Sequence, residues 1–161
     1  MKIDYVRATQ ADRDAALAIL NDAAYAAAYA GPQTLQSMRE GTEALVRHGA
    51  VRQVLAQAQV KPTEVDGVAC EFIELPGAST TRAILYIHGG AFIRGSLSLG
   101  RANAALLASL TGVRVIAVGY RQAPEHPYPA PPTDVRTVYT ALLASGLRPA
   151  DIAVVGESSG G

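Results

Sequence analysis

The sequence predicts an α/β fold built on a mostly parallel sheet flanked by helices. Apolar, β-branched runs occupy residues 82–87, 113–120 and 152–155, and such runs suit strands buried on both faces. Apolar stretches of helical length, 99–110 and 131–143, lie between them. Strands that alternate with helices pair in parallel, because each crossover returns the chain to the same end of the sheet.

The elements follow in order from the punctuation. Residues 10–30 read as one helix, ended by Gly31-Pro32. Its alanine-rich stretch is broken by Asp12, Arg13, Asp14, Asn21 and Asp22, so it is neither a signal peptide nor a membrane span. Thr34 caps a second helix running to about Arg47, before Gly49. Residues 61–75 read as two short strands, the second over 69–75, and Pro76-Gly77 turns the chain towards Arg82. The 99–110 helix stops at Gly112. Asp134 is expected in the first turn of the 131–143 helix, where an acid suits the dipole.

Two motifs carry chemistry. The apolar run Ile152-Ala153-Val154-Val155 leads into Gly156-Glu157-Ser158-Ser159-Gly160-Gly161, a G-x-S-x-G pattern centred on Ser158. A strand that turns at once into a helix holds such a serine in a strained conformation with its hydroxyl exposed, and side chains flanking it would collide. Ser159 fails the pattern, because Glu157 stands two residues before it. Upstream, the 82–87 strand opens into His88-Gly89-Gly90-Ala91-Phe92. Acyl transfer passes through a tetrahedral oxyanion that needs preorganised donors. Gly89 and Gly90 supply backbone N–H groups that approach a ligand closely, and the N–H of Ser159 joins them. Alone, the glycine pair reads equally well as an ordinary turn; with a nucleophile elbow downstream the functional reading is favoured.

Between these motifs the 113–120 strand enters Arg121-Gln122-Ala123-Pro124-Glu125-His126-Pro127-Tyr128-Pro129-Ala130. HGGAF, then YRQAPEHPYPAPPTD, then GESSGG resemble, in order and spacing, the hormone-sensitive-lipase family of α/β-hydrolases in its bacterial esterase branch. The resemblance covers residues 61–161. It implies an α/β-hydrolase fold and a serine carboxylic-ester hydrolase that needs no cofactor and no metal. Ser158 is then the nucleophile, with Gly89, Gly90 and Ser159 as the oxyanion hole and His88 and Ala91 supporting that loop. Phe92 is a candidate pocket residue. The Tyr120–Pro129 stretch reads as scaffold below the site. Residues 1–55 become an amino-terminal helical cap segment and residues 56–161 the first part of the core. Within the cap Leu17, Leu20, Tyr25, Tyr29 and Leu35 either line the acyl pocket or pack on the core and on each other. Ala91 replaces the third glycine of the family's HGGG, and its methyl narrows the alcohol side of the pocket. Glu157 stands where the family often has Asp, and Ser159 where Ala is usual.

No histidine here suits the general base. His88 precedes the nucleophile, whereas the expected order is serine, acid, histidine, and its role is to pin the oxyanion loop. His126 sits in a proline-fixed loop, and His48 lies near a helix end. Asp134 and Asp151 also precede Ser158. The acid and histidine are therefore expected in a missing carboxy-terminal part or on a second chain. The alternatives are a non-catalytic fragment that binds a partner through an open sheet edge, or a lactonase, amidase or thioesterase on the same machinery.

Composition sets limits. At 161 residues and 49% hydrophobic, the chain forms one domain with apolar residues enough for a core. Its formal net charge of zero carries no electrostatic footprint for nucleic acid or an anionic membrane. The single cysteine, Cys70, cannot form an intrachain disulfide, which fits a cytoplasmic protein. The expected partner is a small-molecule ester; a homodimer is left open.

Overall fold

Alternation along the strands builds the sheet. In the computed structural model, which describes residues 9–21, 23, 34–45 and 55–161, β1 (Gln59–Val65) and β2 (Val68–Glu74) form an antiparallel hairpin. They are followed by β3 (Ser79–Ile87), β4 (Val113–Val118) and β5 (Ile152–Gly156). The order across the sheet is β1-β2-β4-β3-β5. β4 runs antiparallel to β2 and parallel to β3, and β3 runs parallel to β5. The parallel character expected from the sequence thus belongs to β3, β4 and β5, and the amino-terminal hairpin makes the sheet mixed.

Both faces of β3 over 83–87 and of β4 over 115–118 are buried. Leu85, Ile87, Ile116 and Val118 join Val138 and Leu142 in one cluster, while Ile84, Tyr86, Val115 and Ala117 join Ala104, Ala105 and Ala108 in another. This two-residue alternation is why the strands read as continuous apolar runs. The helices are α1 (Gln10–Leu20), α2 (Leu35–Leu45), α3 (Leu97–Thr111) and α4 (Ala130–Ala144). The connection through α3 runs from β3 to β4 on one side of it, and that through α4 runs from β4 to β5 on its other side. Crossovers of the same hand then lie on opposite faces of the sheet. α3 presents alanines to the sheet, all fully buried, which lets the helix backbone approach closely. Ser96 caps it by accepting from Leu99 N, and Gly112 ends it at φ 65°.

Part of the expected 10–30 helix is described, as α1; Tyr25, Tyr29, His48 and the side chain of Leu20 lie outside the described residues. Thr34 caps α2 as expected: its Oγ1 accepts from Ser37 N at 3.1 Å, while Ser37 Oγ accepts from Thr34 N at 3.0 Å. Asp134 requires a correction. The helix starts at Ala130, ahead of Pro131 and Pro132, so Asp134 falls beyond its first turn. It is buried, and it accepts from Arg121 N at 2.8 Å and from the Arg121 guanidinium at 2.7 Å. Burial alone would raise its pKa, but the hydrogen bonds from Arg121 outweigh that and hold it below the ordinary value. Among the described residues β5 pairs with β3 alone, and Val154 on it is 57% exposed. No described helix is long and apolar enough to cross a membrane.

Candidate active site

The carboxyl ends of neighbouring parallel strands release the two motif loops side by side, which is where open α/β sheets place their ligands. Ile87 pairs with Gly156 in register, and Glu157 N donates to Ile87 O at 3.2 Å. β5 passes through Glu157 into a single helical turn over Ser158–Gly160, closed by Gly160 N on Glu157 O at 2.8 Å and Gly161 N on Ser158 O at 3.0 Å. Ser158 has φ 52°, in the left-handed region that a side chain rarely adopts. The flanking glycines are steric requirements. A Cβ on Gly156 would stand 2.7 Å from Gly161 N, and one on Gly160 would stand 2.9 Å from His88 O.

Gly89 lies directly against this turn: a Cβ there would be 2.8 Å from Glu157 O and 3.1 Å from the Ser158 Cβ. Beyond it the chain holds positive φ at Gly90, Ala91 and Phe92 in succession, at 132°, 54° and 61°. This strained loop is fixed through its carbonyls. Tyr120 Oη donates to His88 O at 2.8 Å, and the His88 ring reaches Gly89 O at 2.7 Å. Ala123 N donates to Phe92 O at 2.9 Å, and Arg39 Nε to Ile93 O at 2.8 Å. Gln122 Nε2 donates to Arg94 O and Gly95 O at 3.1 and 2.8 Å. Among the described residues the N–H groups of Gly89, Gly90 and Ser159 donate to no protein acceptor.

The electrostatics follow from burial. His88 is 2% exposed and stacks on Tyr120. Desolvation holds its pKa below the ordinary value. A carbonyl only accepts, so the neutral ring carries its proton on Nδ1, and the buried Nε2 has no partner among the described residues. Glu157 accepts at one oxygen from Tyr86 Oη and from Asn103 Nδ2, each at 3.0 Å. Burial pushes the Tyr86 phenol up to about 12, so it remains a donor at neutral pH.

Two clefts flank the loops. An apolar one of about 780 Å³ is bordered by Phe92, Tyr120, Tyr128, Val135, Val154 and Ser159. A more polar one of about 700 Å³ has Arg39, Glu43, His88, Ser96, Ser98 and Gln122 among its walls. Phe92 is thus on the rim of a cleft beside Ser159. Leu17 is 54% exposed on α1, and Leu35 is half-buried on α2. His126 is exposed in the loop after β4, its N–H on Gln122 O. Sequence reasoning left out Arg39, Asn103 and Gln122. Arg39 and Asn103 lie in no motif; Gln122 lies in the stretch read as scaffold, and nothing in its spacing marks the carbonyls it serves.

A profile of the α/β hydrolase fold matches residues 84–161. An esterase of Acinetobacter venetianus is 47% identical over 102 residues, which are 63% of this chain and 33% of that protein. An esterase of the bacterial hormone-sensitive lipase family superposes with a TM-score of 0.77 at 30% identity, over 96% of this chain and 50% of the other. A mutant of another esterase does so with a TM-score of 0.81 at 32% identity, over the same shares. The chain therefore spans a third to a half of the length of these three proteins.

Proposed function

We propose that this chain, which belongs to the α/β-hydrolase fold family and corresponds to the amino-terminal portion of its hormone-sensitive-lipase branch, carries the nucleophile and oxyanion hole of a carboxylic-ester hydrolase. One observation carries the reading. The strained serine of the elbow packs against a loop whose amides at Gly89 and Gly90, like that of Ser159, have no protein acceptor among the described residues. Unused backbone donors beside the serine of a strained turn suit a developing oxyanion.

In this reading Ser158 Oγ attacks the acyl carbonyl of a short-to-medium-chain ester. The carbonyl oxygen gains negative charge and is held by Gly89, Gly90 and Ser159. The alcohol leaves, and water hydrolyses the acyl-enzyme. A serine hydroxyl needs a histidine to take its proton and a carboxylate to orient that histidine. His88 and Asp134 are committed to Gly89 O and Arg121, so we assign both roles to residues outside these 161 or on a second chain. Residues 1–55 act as a cap segment whose α2 adjoins the oxyanion loop through Arg39. The single, buried thiol of Cys70 supports a cytoplasmic setting.

Intact-mass spectrometry before and after a fluorophosphonate probe tests this. One adduct, mapped to Ser158 and absent from Ser158→Ala, is expected together with turnover of p-nitrophenyl esters. No adduct on a folded protein that carries the remaining triad would overturn the assignment.

A further inference from the structure

A peptide unit is planar, with its carbonyl and its N–H pointing in opposite directions. Anchoring a carbonyl therefore aims the next residue's amide the other way. In the His88–Gly89 peptide the anchor is Tyr120 Oη, 2.8 Å from His88 O. In the Gly89–Gly90 peptide it is the Nδ1–H of His88, 2.7 Å from Gly89 O. The two anchors are coupled, because the Tyr120 ring lies on the His88 imidazole with centroids 4.3 Å apart and planes 16° from parallel. Tyr120 is 4% exposed, so water does not compete for its hydroxyl.

The register of the sheet explains why a residue of β4's exit loop reaches this peptide. Ile87 pairs with Val118, so the chain leaves both parallel strands at the same height. Gly119 N is tied to Ala69 O at 2.8 Å, and a Cβ on Gly119 would stand 2.9 Å from that oxygen. The close approach there delivers Tyr120 beneath His88.

We propose that Tyr120 is a positioning residue of the oxyanion hole: it aims the Gly89 amide through the His88 carbonyl and the Gly90 amide through the His88 ring. The assignment rests on the esterase reading above. Tyr120 acts on these two amides through His88.

Tyr120→Phe keeps the stack and removes one donor. It is made in the full chain, in the form that turns over ester, and rates are normalised to sites titrated by fluorophosphonate. Misaiming a donor costs less than deleting one, so kcat falls by roughly 10–100-fold, below the roughly 10²–10³-fold typical of a lost oxyanion donor. KM stays near the wild-type value. The inhibition constant of an aryl boronic acid, whose tetrahedral adduct places an oxyanion at the same donors, rises by a similar factor. That constant does not depend on the fraction of protein that is active. 3-Fluorotyrosine at position 120 retains a donor of nearly the same shape and restores wild-type kcat. Wild-type kcat and boronate affinity in Tyr120→Phe overturn the proposal, as does an equal loss with 3-fluorotyrosine. Ser158→Ala measured alongside separates the two levels: full hydrolysis by that variant overturns the esterase reading and this assignment with it.

Discussion

The guanidinium of Arg39 grips Glu125 through two hydrogen bonds of 2.7 and 2.8 Å, although the residues lie 86 positions apart. The same group donates to Ile93 O at 2.8 Å and to Ala123 O at 3.2 Å. One side chain thus fastens α2 to the loop that follows β3 and to the loop that follows β4. The Arg39 hydrogen bond holds the Glu125 carboxyl down to about 2, so the pair is charged throughout the neutral range. Both partners are partly exposed, and such pairs contribute little by charge alone; the two carbonyls matter more. Arg39→Met is expected to speed limited proteolysis within 34–45 several-fold, with a much smaller effect from Glu125→Gln. Equal protection of all three proteins would contradict this.

Asp134 links stability to pH. Its folded pKa is depressed, so its contribution is fully present above the ordinary carboxylate value near 3.9 and is lost as pH falls through the lower folded value. Removing an acceptor that serves a part-buried backbone N–H and a guanidinium costs about 1.5–3 kcal/mol. Asp134→Asn should therefore unfold at lower urea than wild type at pH 7, and the gap should narrow as pH falls below about 3.9. A gap that widens on acidification would reverse the assigned sign.

Ala91 holds φ 54°, a conformation that costs an L-residue roughly 1–2 kcal/mol and glycine almost nothing. Ala91→Gly relieves that strain but gives the unfolded chain more freedom, worth about 0.4–1 kcal/mol. The variant is expected to be as stable as wild type or slightly more so. Ala105→Gly, in the middle of α3, is expected to lose about 1 kcal/mol or more. If the Ala91 methyl narrows the alcohol side of the pocket, Ala91→Gly also accelerates hydrolysis of tertiary-alcohol esters. Unchanged relative rates on such esters would sink the second half of this prediction.

Cys70 is 1% exposed, and burial pushes its thiol up to about 11. The thiolate is the reactive form, so iodoacetamide at pH 8 should modify the native protein only as fast as it opens. Labelling should rise through the urea unfolding transition. Rapid modification without denaturant would place the thiol at an accessible site.

Asn103 is exposed on α3, yet it donates to Glu157, the residue before the elbow serine. Asn103→Leu should leave stability within about 0.5 kcal/mol, as surface changes usually do. Fluorophosphonate labelling of Ser158 should slow several-fold, because among the described residues Glu157 then keeps Tyr86 as its side-chain donor. Wild-type labelling kinetics would confine the Glu157 contact to structure.

The elements and motifs legible beforehand were those with local causes. Residues 83–87 read as a strand because burial on both faces leaves an unbroken apolar run; residues 152–155 read the same way from their apolar run, but among the described residues β5 is not buried on both faces, and Val154 is 57% exposed. Gly156 and Gly160 were legible because the turn around Ser158 leaves no room for a Cβ. The stop at Gly112 was legible because a left-handed residue ends the helix there. A helix that began at Pro131 would hold Asp134 in its first turn, but the helix begins at Ala130 and the partner of Asp134, Arg121, lies outside it. Glu71 gave no signal of its own. It looks like an ordinary exposed strand residue, yet it is buried and paired with Arg101 from α3.

Sequence alone determined the alternation of strands and helices, the elbow at Ser158 and the glycine loop at Gly89 and Gly90. Each rests on side-chain period or backbone sterics within a few residues. Tertiary structure alone decided that β4 lies between β2 and β3. It also decided that Tyr120 meets the His88 carbonyl and that Arg39 meets Glu125 and Ile93. Those contacts join residues far apart in the chain. They form only when the register of parallel strands and the burial of both sheet faces fix which loops emerge together, and no local spacing encodes that choice.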